Sequence, residues 1–155
     1  MSEPRIRELR RDEVDAIARA VADQPLLQRY DTSAEKLARS LGDAIERGDP
    51  VIAVEEGGAL HGFAWFLATG TFAIGGYLRL IALVPGAEGR GLGAALLDEI
   101  ERRVAARSRT LFLLVSHWNE GARRFYARRG YTEVGRLPGF VRDDTDEIVC
   151  MKRLA

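Results

Sequence analysis

The stretch Tyr77–Leu97, YLRLIALVPGAEGRGLGAALL, decides how the chain is read. Its apolar first part, Tyr77–Val84, predicts a strand that Pro85 and Gly86 end, and a long helix is expected from about Gly91 to Arg107. Between them lie Gly86, Gly89, Gly91 and Gly93. Glycine lets main chain come close to a ligand, and the N–H groups of a helix's first turn have no acceptor within the helix. With the helix dipole, such a junction suits a phosphate group, and Arg90 can add a charge-assisted contact. A glycine-rich turn without a ligand is the plainer alternative. A P-loop would continue with Lys-Ser or Lys-Thr, where Ala94-Ala95 stand. Gly89-Arg90-Gly91-Leu92-Gly93-Ala94 fits the dinucleotide pattern formally. The next strand, however, ends in Ser116 and His117 instead of an acidic residue, and too little chain remains for a doubly wound sheet.

Upstream, Arg5–Leu9 predicts a short strand. Asp12–Ala22 predicts a helix capped by Asp12, with Val14, Ile17, Ala18 and Val21 on one face. Gln24–Tyr30, with Pro25, is expected to be a loop, and a second helix runs from about Ser33 to Arg47. Val51–Val54, Leu60–Ala68 and Tyr77–Val84 predict an antiparallel meander. Downstream, Thr110–Val115 (TLFLLV) is expected to be a strand buried on both faces. Asn119–Arg129 predicts a helix closed by Gly130. Thr132–Leu137 and Glu147–Leu154 close the chain as a strand pair around the acidic loop Arg142–Asp146. The expected fold is α+β: one mixed, mostly antiparallel twisted sheet of about seven strands flanked by four helices, in the order β-α-α-β-β-β-α-β-α-β-β. One parallel crossover is expected, from Tyr77–Val84 through the long helix to Thr110–Val115.

The 155 residues suit one domain, expected over 1–155. Lys plus Arg and Asp plus Glu number 23 each, so no global field recruits nucleic acid or an anionic membrane. The single cysteine, Cys150, cannot form an internal disulfide, and MSEPRIRELR lacks the apolar core of a signal peptide. No apolar run approaches the ~20 residues of a membrane span. A soluble, cytoplasmic protein is expected.

A second constellation is Asn119–Tyr131, NEGARRFYARRGY. Helical spacing puts Asn119, Ala122 and Tyr126 on one face. Asn119 can be an N-cap over an aromatic core pair, Phe125 and Tyr126, or these residues can face a ligand.

Together the two stretches resemble the GNAT acyltransferase superfamily. Strand, Val-Pro, then G-x-G-x-G-x-x-L-L looks like its acyl-CoA pyrophosphate motif, and N-x-x-A-x-x-F-Y-x-x-x-G-Y looks like its second CoA motif. The resemblance implies the acyl-CoA N-acyltransferase fold and direct transfer of an acetyl group from acetyl-CoA, as co-substrate, to a primary amine. Neither a metal nor a covalent enzyme intermediate is expected. Leu83 and Val84 main chain would pair with the pantetheine arm. N–H groups of Gly89, Arg90, Gly91, Leu92, Gly93 and Ala94 would hold the pyrophosphate. Asn119 and Phe125 would contact the cofactor arm, and Tyr126 would protonate the departing thiolate. The acceptor, a small-molecule amine or a protein N-terminus, stays open, and a homodimer is allowed. A CoA-binding sensor without turnover is the alternative.

Two positions depart from the family pattern. Glu88 stands where Gln or Arg usually opens the pyrophosphate motif, and Arg79 stands where many members carry a basic glutamate. Arg79 cannot accept a proton, which makes His117, just past a strand end, the candidate base. A surface loop histidine is its plainer reading. Tyr30 and Asp31 lie where the family often reads its acceptor, or form an ordinary loop. His61 is expected to be structural, and Trp65, Phe66 and Phe72 to be core or sheet face. Asp143, Asp144, Asp146 and Glu147 are expected to form a solvated acidic hairpin, with recognition of a cationic amine as the sharper reading. Cys150 is expected to be inert.

Overall fold

The computed structural model describes residues 3–154. Their elements are β1 Arg5–Glu8, α1 Val14–Val21, α2 Pro25–Arg29, α3 Ala34–Arg47, β2 Val51–Glu56, β3 Ala59–Thr71, β4 Gly75–Leu83, α4 Leu92–Ala105, β5 Thr110–Ser116, α5 Glu120–Arg128, β6 Thr132–Arg142 and β7 Thr145–Arg153. The seven strands follow the order β1-β2-β3-β4-β5-β7-β6. Pairing is antiparallel for β1–β2, β2–β3, β5–β7 and β6–β7, and parallel for β4–β5, as expected of the crossover through α4.

The chain divides into two compact units: the chain up to Phe66 with Leu80–Arg102, and Leu67–Arg79 with the chain from Arg103 onward. In the first, α1 turns Val14, Ile17, Ala18 and Val21 inward, and α3 turns Leu37, Leu41 and Ala44 inward. These meet Val51 and Ala53 of β2 and Phe63 and Trp65 of β3 in one apolar cluster. The alternate residues Ile52, Val54, Ala64 and Phe66 are buried on the other face of the same strands. Ser33 Oγ accepts from Lys36 N at 3.2 Å to cap α3. Gly57 and Gly58, at φ 63° and 81°, make the two-residue turn between β2 and β3, a conformation that needs positive φ at both positions.

Several sequence expectations change. Gln24–Tyr30 is not a loop throughout. Pro25 opens the short α2, because proline at the first helical position loses no hydrogen bond, and Leu27 anchors that turn in the core. The described residues therefore hold five α-helices where four are expected. Asp12 does not cap α1, because a 3-10 turn, Arg11–Glu13, precedes the helix. Glu13 does the local work, accepting from Arg10 N at 2.9 Å and from Arg7 Nη1 and Nη2 at 2.9 and 2.8 Å. In the second unit, β5 is not buried on both faces: Leu111, Leu113 and Val115 are buried, whereas Phe112 and Leu114 are half-buried. Phe72 is no core residue either. It is 75% exposed in the β3–β4 turn, its ring edge against Phe112 at 5.1 Å. Among the described residues, no helix is long and apolar enough to cross a membrane.

Candidate active site

In the first unit, β4 delivers the glycine loop. Gly86, Gly89 and Gly91 take φ of 87°, 77° and 80°, a region that other residues occupy only under strain. A Cβ built at any of the three meets nothing within 4 Å, so the loop borders open space. The first intrahelical bond of α4 is Ala95 N to Gly91 O at 3.0 Å. The N–H groups of Leu92, Gly93 and Ala94 thus precede the helix's own ladder, and its first turn holds no acidic residue. Such an end attracts an anion through N–H groups and the helix dipole.

Glu88 fits this loop by folding back on it. Its carboxylate accepts from Gly86 N at 3.0 Å and from Gln24 Nε2 at 2.9 Å. The Gln24 amide first, then the loop's own N–H groups, hold it below the usual carboxylate range. Arg90 pairs with Glu56 at the end of β2, a partner that a phosphate would have to replace.

Leu83 and Val84, the expected pantetheine edge, differ in their main-chain bonds. Val84 N donates to His61 O at 2.9 Å, and Val84 O accepts from Ala87 N at 3.1 Å. Both main-chain groups of Val84 are therefore engaged within the unit. That leaves Leu83 to carry the expected pairing, since successive residues of a strand point their main-chain groups to opposite edges. Leu83 O accepts from Gln24 Nε2 at 2.7 Å. His61 is structural as expected, its Nε2 lying 3.2 Å from Glu56 O. Trp65 is core, its indole N–H donating to Asp49 at 3.2 Å. Asp31 takes φ 55°, a left-handed position that asparagine and aspartate tolerate, and Lys36 Nζ reaches its carbonyl at 3.4 Å.

In the second unit, Asn119 Oδ1 accepts from Ala122 N at 3.1 Å and caps α5. Phe125 is half-buried, and its ring meets Tyr126 edge-on at 5.2 Å. Tyr126 is 8% exposed, with Tyr131 edge-on at 5.6 Å. Burial, and then the nearby Cys150 thiol, push its phenol far above the ordinary value, so it stays protonated. Cys150 is buried as well, and burial lifts its thiol to about 11, which leaves it neutral and inert.

His117, the candidate base, has its Nδ1 against the main chain of Asp146. Its Nδ1 accepts from Asp146 N at 3.0 Å, and His117 N donates to Asp146 O at 2.9 Å. The acidic hairpin is corrected too. Asp143 and Asp144 are exposed at the turn, and Asp146 pairs with Arg136 at 2.7 Å. Glu147 leaves the turn entirely: it lies on β7 and is 5% exposed. Sequence groups it with its acidic neighbours, and Thr145-Asp146-Glu147, all polar, carries no apolar alternation that would mark it as buried. No group of three or more His, Cys, Asp or Glu able to hold a metal occurs among the described residues.

The model of the Acetyltransferase (GNAT) family matches residues 11–131, which include the glycine loop, α4, β5 and α5. The chain belongs to this family. A GNAT-family structure from Desulfovibrio desulfuricans shares 26% identity with it at a TM-score of 0.78, each chain covered in full. An N-acetyltransferase from Staphylococcus aureus superposes with a TM-score of 0.80 at 18% identity, covering 99% of this chain and 100% of its own. YncA from Salmonella typhimurium, whose structure contains its cofactor acetyl-CoA, superposes with a TM-score of 0.75 at 16% identity, over 98% of this chain and 94% of its own. The fold of this GNAT acetyltransferase is thus the acyl-CoA N-acyltransferase fold.

Proposed function

We propose that this GNAT protein transfers the acetyl group of acetyl-CoA to a primary amine by direct attack within a ternary complex. The observation that carries this reading is the loop Gly86–Gly91. Three left-handed glycines border open space at the start of a helix whose first-turn N–H groups lie outside its ladder. Main-chain N–H groups from Gly89 through Ala94 would hold the pyrophosphate, with Arg90 moving from Glu56 to the phosphate. Leu83 would pair with the pantetheine arm, and its N–H would stabilise the oxyanion that forms when the amine attacks the thioester. Asn119 Oδ1 caps α5, which leaves its amide N–H groups as the donors toward the arm, and Phe125 would pack beside it.

Tyr126 would give the departing sulfur its proton. Burial keeps the phenol protonated at every working pH, which guarantees a donor; the same shift weakens its acidity, so hydrogen bonding to the developing thiolate is its first contribution. The acceptor would be a small amine or a protein N-terminus. A structural relative from Brucella melitensis is a ribosomal-protein-alanine N-acetyltransferase, similar at a TM-score of 0.73 and 20% identity over 97% of this chain and 99% of its own. The test is calorimetry with acetyl-CoA together with thiol release over a panel of amines and N-terminal peptides. Binding with release supports the transferase. Binding without release from any acceptor supports a non-catalytic sensor, and absence of binding overturns both.

A further inference from the structure

The large apolar side chains left exposed among the described residues are Phe72, Ile74, Val134, Phe140 and Val141, and all of them lie in the second unit. Apart from Val134, they form two patches at opposite ends of one ladder. Thr110 of β5 is opposite Arg153 of β7, and nearby Met151 is opposite Thr132 at the start of β6. Ser116, Glu147 and Leu137 share the other end, beyond which the chain turns from β6 into β7. β5 has 7 residues, so the two ends are ~20 Å apart.

The first patch borders a groove of about 590 Å³ walled by Phe72, Ile74 and Phe112 and by Arg107 and Arg109. Gly75 shapes it: a Cβ there would lie 2.5 Å from Phe112 Cε2, so its absence lets that ring lie against β4. Phe72 meets the ring edge-on, and its φ of 48°, with Ala73 at 73°, makes a strained turn that carries Phe72 into solvent. Arg107, Arg109 and Arg153, the last opposite Thr110 of the groove, make no ion pair with a described residue. Solvated arginines are ordinary on a surface. Around an exposed apolar groove, they give it a charge that an acidic and apolar occupant complements.

The second patch has that chemistry. Phe140 and Val141 stand exposed at the β6–β7 tip beside Asp143, whose carboxylate has no cation among the described residues; Asp144 next to it is paired with Arg142. The tip is braced, because Asp146 accepts from Gly139 N at 3.0 Å and from Arg136 Nε at 2.7 Å. A braced tip loses little freedom on docking. Basic and acidic side chains balance at 23 each, so no net charge drives two copies apart.

We propose that the groove takes the β6–β7 tip of a second copy of this chain. Two copies whose ladders run in opposite directions bring each tip to the other's groove. A two-fold axis then makes the contact twice and closes a dimer. Phe140 and Val141 cover Phe72, Ile74 and Phe112, and Asp143 meets the arginines. The doubling matters, because a specific interface buries at least ~1,000 Å². The dimer does not depend on acetyl-CoA, and its absence would leave the acetyltransferase reading untouched.

Sedimentation velocity of the parent across micromolar concentrations should show a monomer–dimer equilibrium that stops at the dimer. Phe72→Asn introduces a residue that tolerates the left-handed backbone, and Phe140→Asn changes an exposed side chain, so both variants should stay folded by circular dichroism. Each damages both contacts of its own homodimer and should weaken it by about tenfold or more, the scale of a lost aromatic anchor. An equal mixture of the two keeps one intact tip-to-groove contact per heterodimer, and it should associate more tightly than either variant alone. Arg107→Glu with Arg109→Glu should weaken the dimer as well, and adding Asp143→Arg should recover part of the loss. A parent that stays monomeric, a dimer indifferent to these variants, a mixture no tighter than its components, or growth past the dimer would overturn the proposal.

Discussion

Gln24, in the turn before α2, reaches β4: its Nε2 donates to Leu83 O at 2.7 Å and to Glu88 Oε1 at 2.9 Å. One amide thus sits on the strand edge proposed for pantetheine and holds the carboxylate that departs from the family's pyrophosphate motif.

If the pantetheine arm pairs with Leu83, Gln24 has to release that carbonyl. Gln24→Ala removes the competing bond, worth ~0.5–1.5 kcal/mol net. Calorimetry should then find acetyl-CoA bound a few-fold to about tenfold more tightly, provided Glu88 keeps its bond to Gly86 N. Weaker binding would mean that Gln24 helps the loop by restraining Glu88.

Gly91 joins a left-handed backbone to open space at the helix start. Gly91→Val strains the backbone by ~1–2 kcal/mol and places a branched side chain where the pyrophosphate would lie. Acetyl-CoA affinity should fall at least tenfold, and the rise in Tm that the ligand produces by mass action should shrink with it. An unchanged affinity would exclude the loop.

Tyr126→Phe keeps the ring against Phe125 and Tyr131 and removes only the donor. We expect kcat to fall by about 10²-fold or more with acetyl-CoA affinity nearly kept, the signature of an interaction made in the transition state. A parental rate would place the proton donor elsewhere.

Glu13 gives the fold an acid-sensitive clasp. Its bond to Arg7 first, and the Arg10 N–H and charges besides, hold the carboxyl at about 2 against burial, which opposes them. Because the folded value is depressed, this stabilisation is present above the unfolded value of ~4.3 and is lost as pH falls through about 2. Tm measured from pH 5 to pH 2 should decline in the parent. In Glu13→Gln it should start lower and decline less steeply.

Much of the fold and part of the site were legible because they depend on neighbours in sequence. The i, i+3, i+4, i+7 pattern of Val14, Ile17, Ala18 and Val21 needs only helical geometry to become a buried face. Gly86, Gly89 and Gly91 announce a loop that only residues without Cβ adopt freely. Asn119, three residues before Ala122, is enough to cap α5. Local physics decided each of these before any tertiary contact formed.

What tertiary structure decided concerns groups whose partners lie far along the chain. Sequence made Val84 and Leu83 equivalent; the pairing of Val84 N with His61 O separates them. Sequence reads Arg90 as a phosphate ligand, and the end of β2 brings Glu56 to it. Glu147 looked like one more acid in a solvated hairpin, and it became buried because β7 pairs with β5 in the register that sets it opposite Ser116. That same register brings Asp146 N to His117 Nδ1, a contact between residues 29 apart in sequence. Register is set by the whole sheet and its packing, and a shift of one residue would turn Glu147 to the other face. No short window of sequence contains that information, so the burial of Glu147 and the contact of His117 with Asp146 emerge only once the strands are paired.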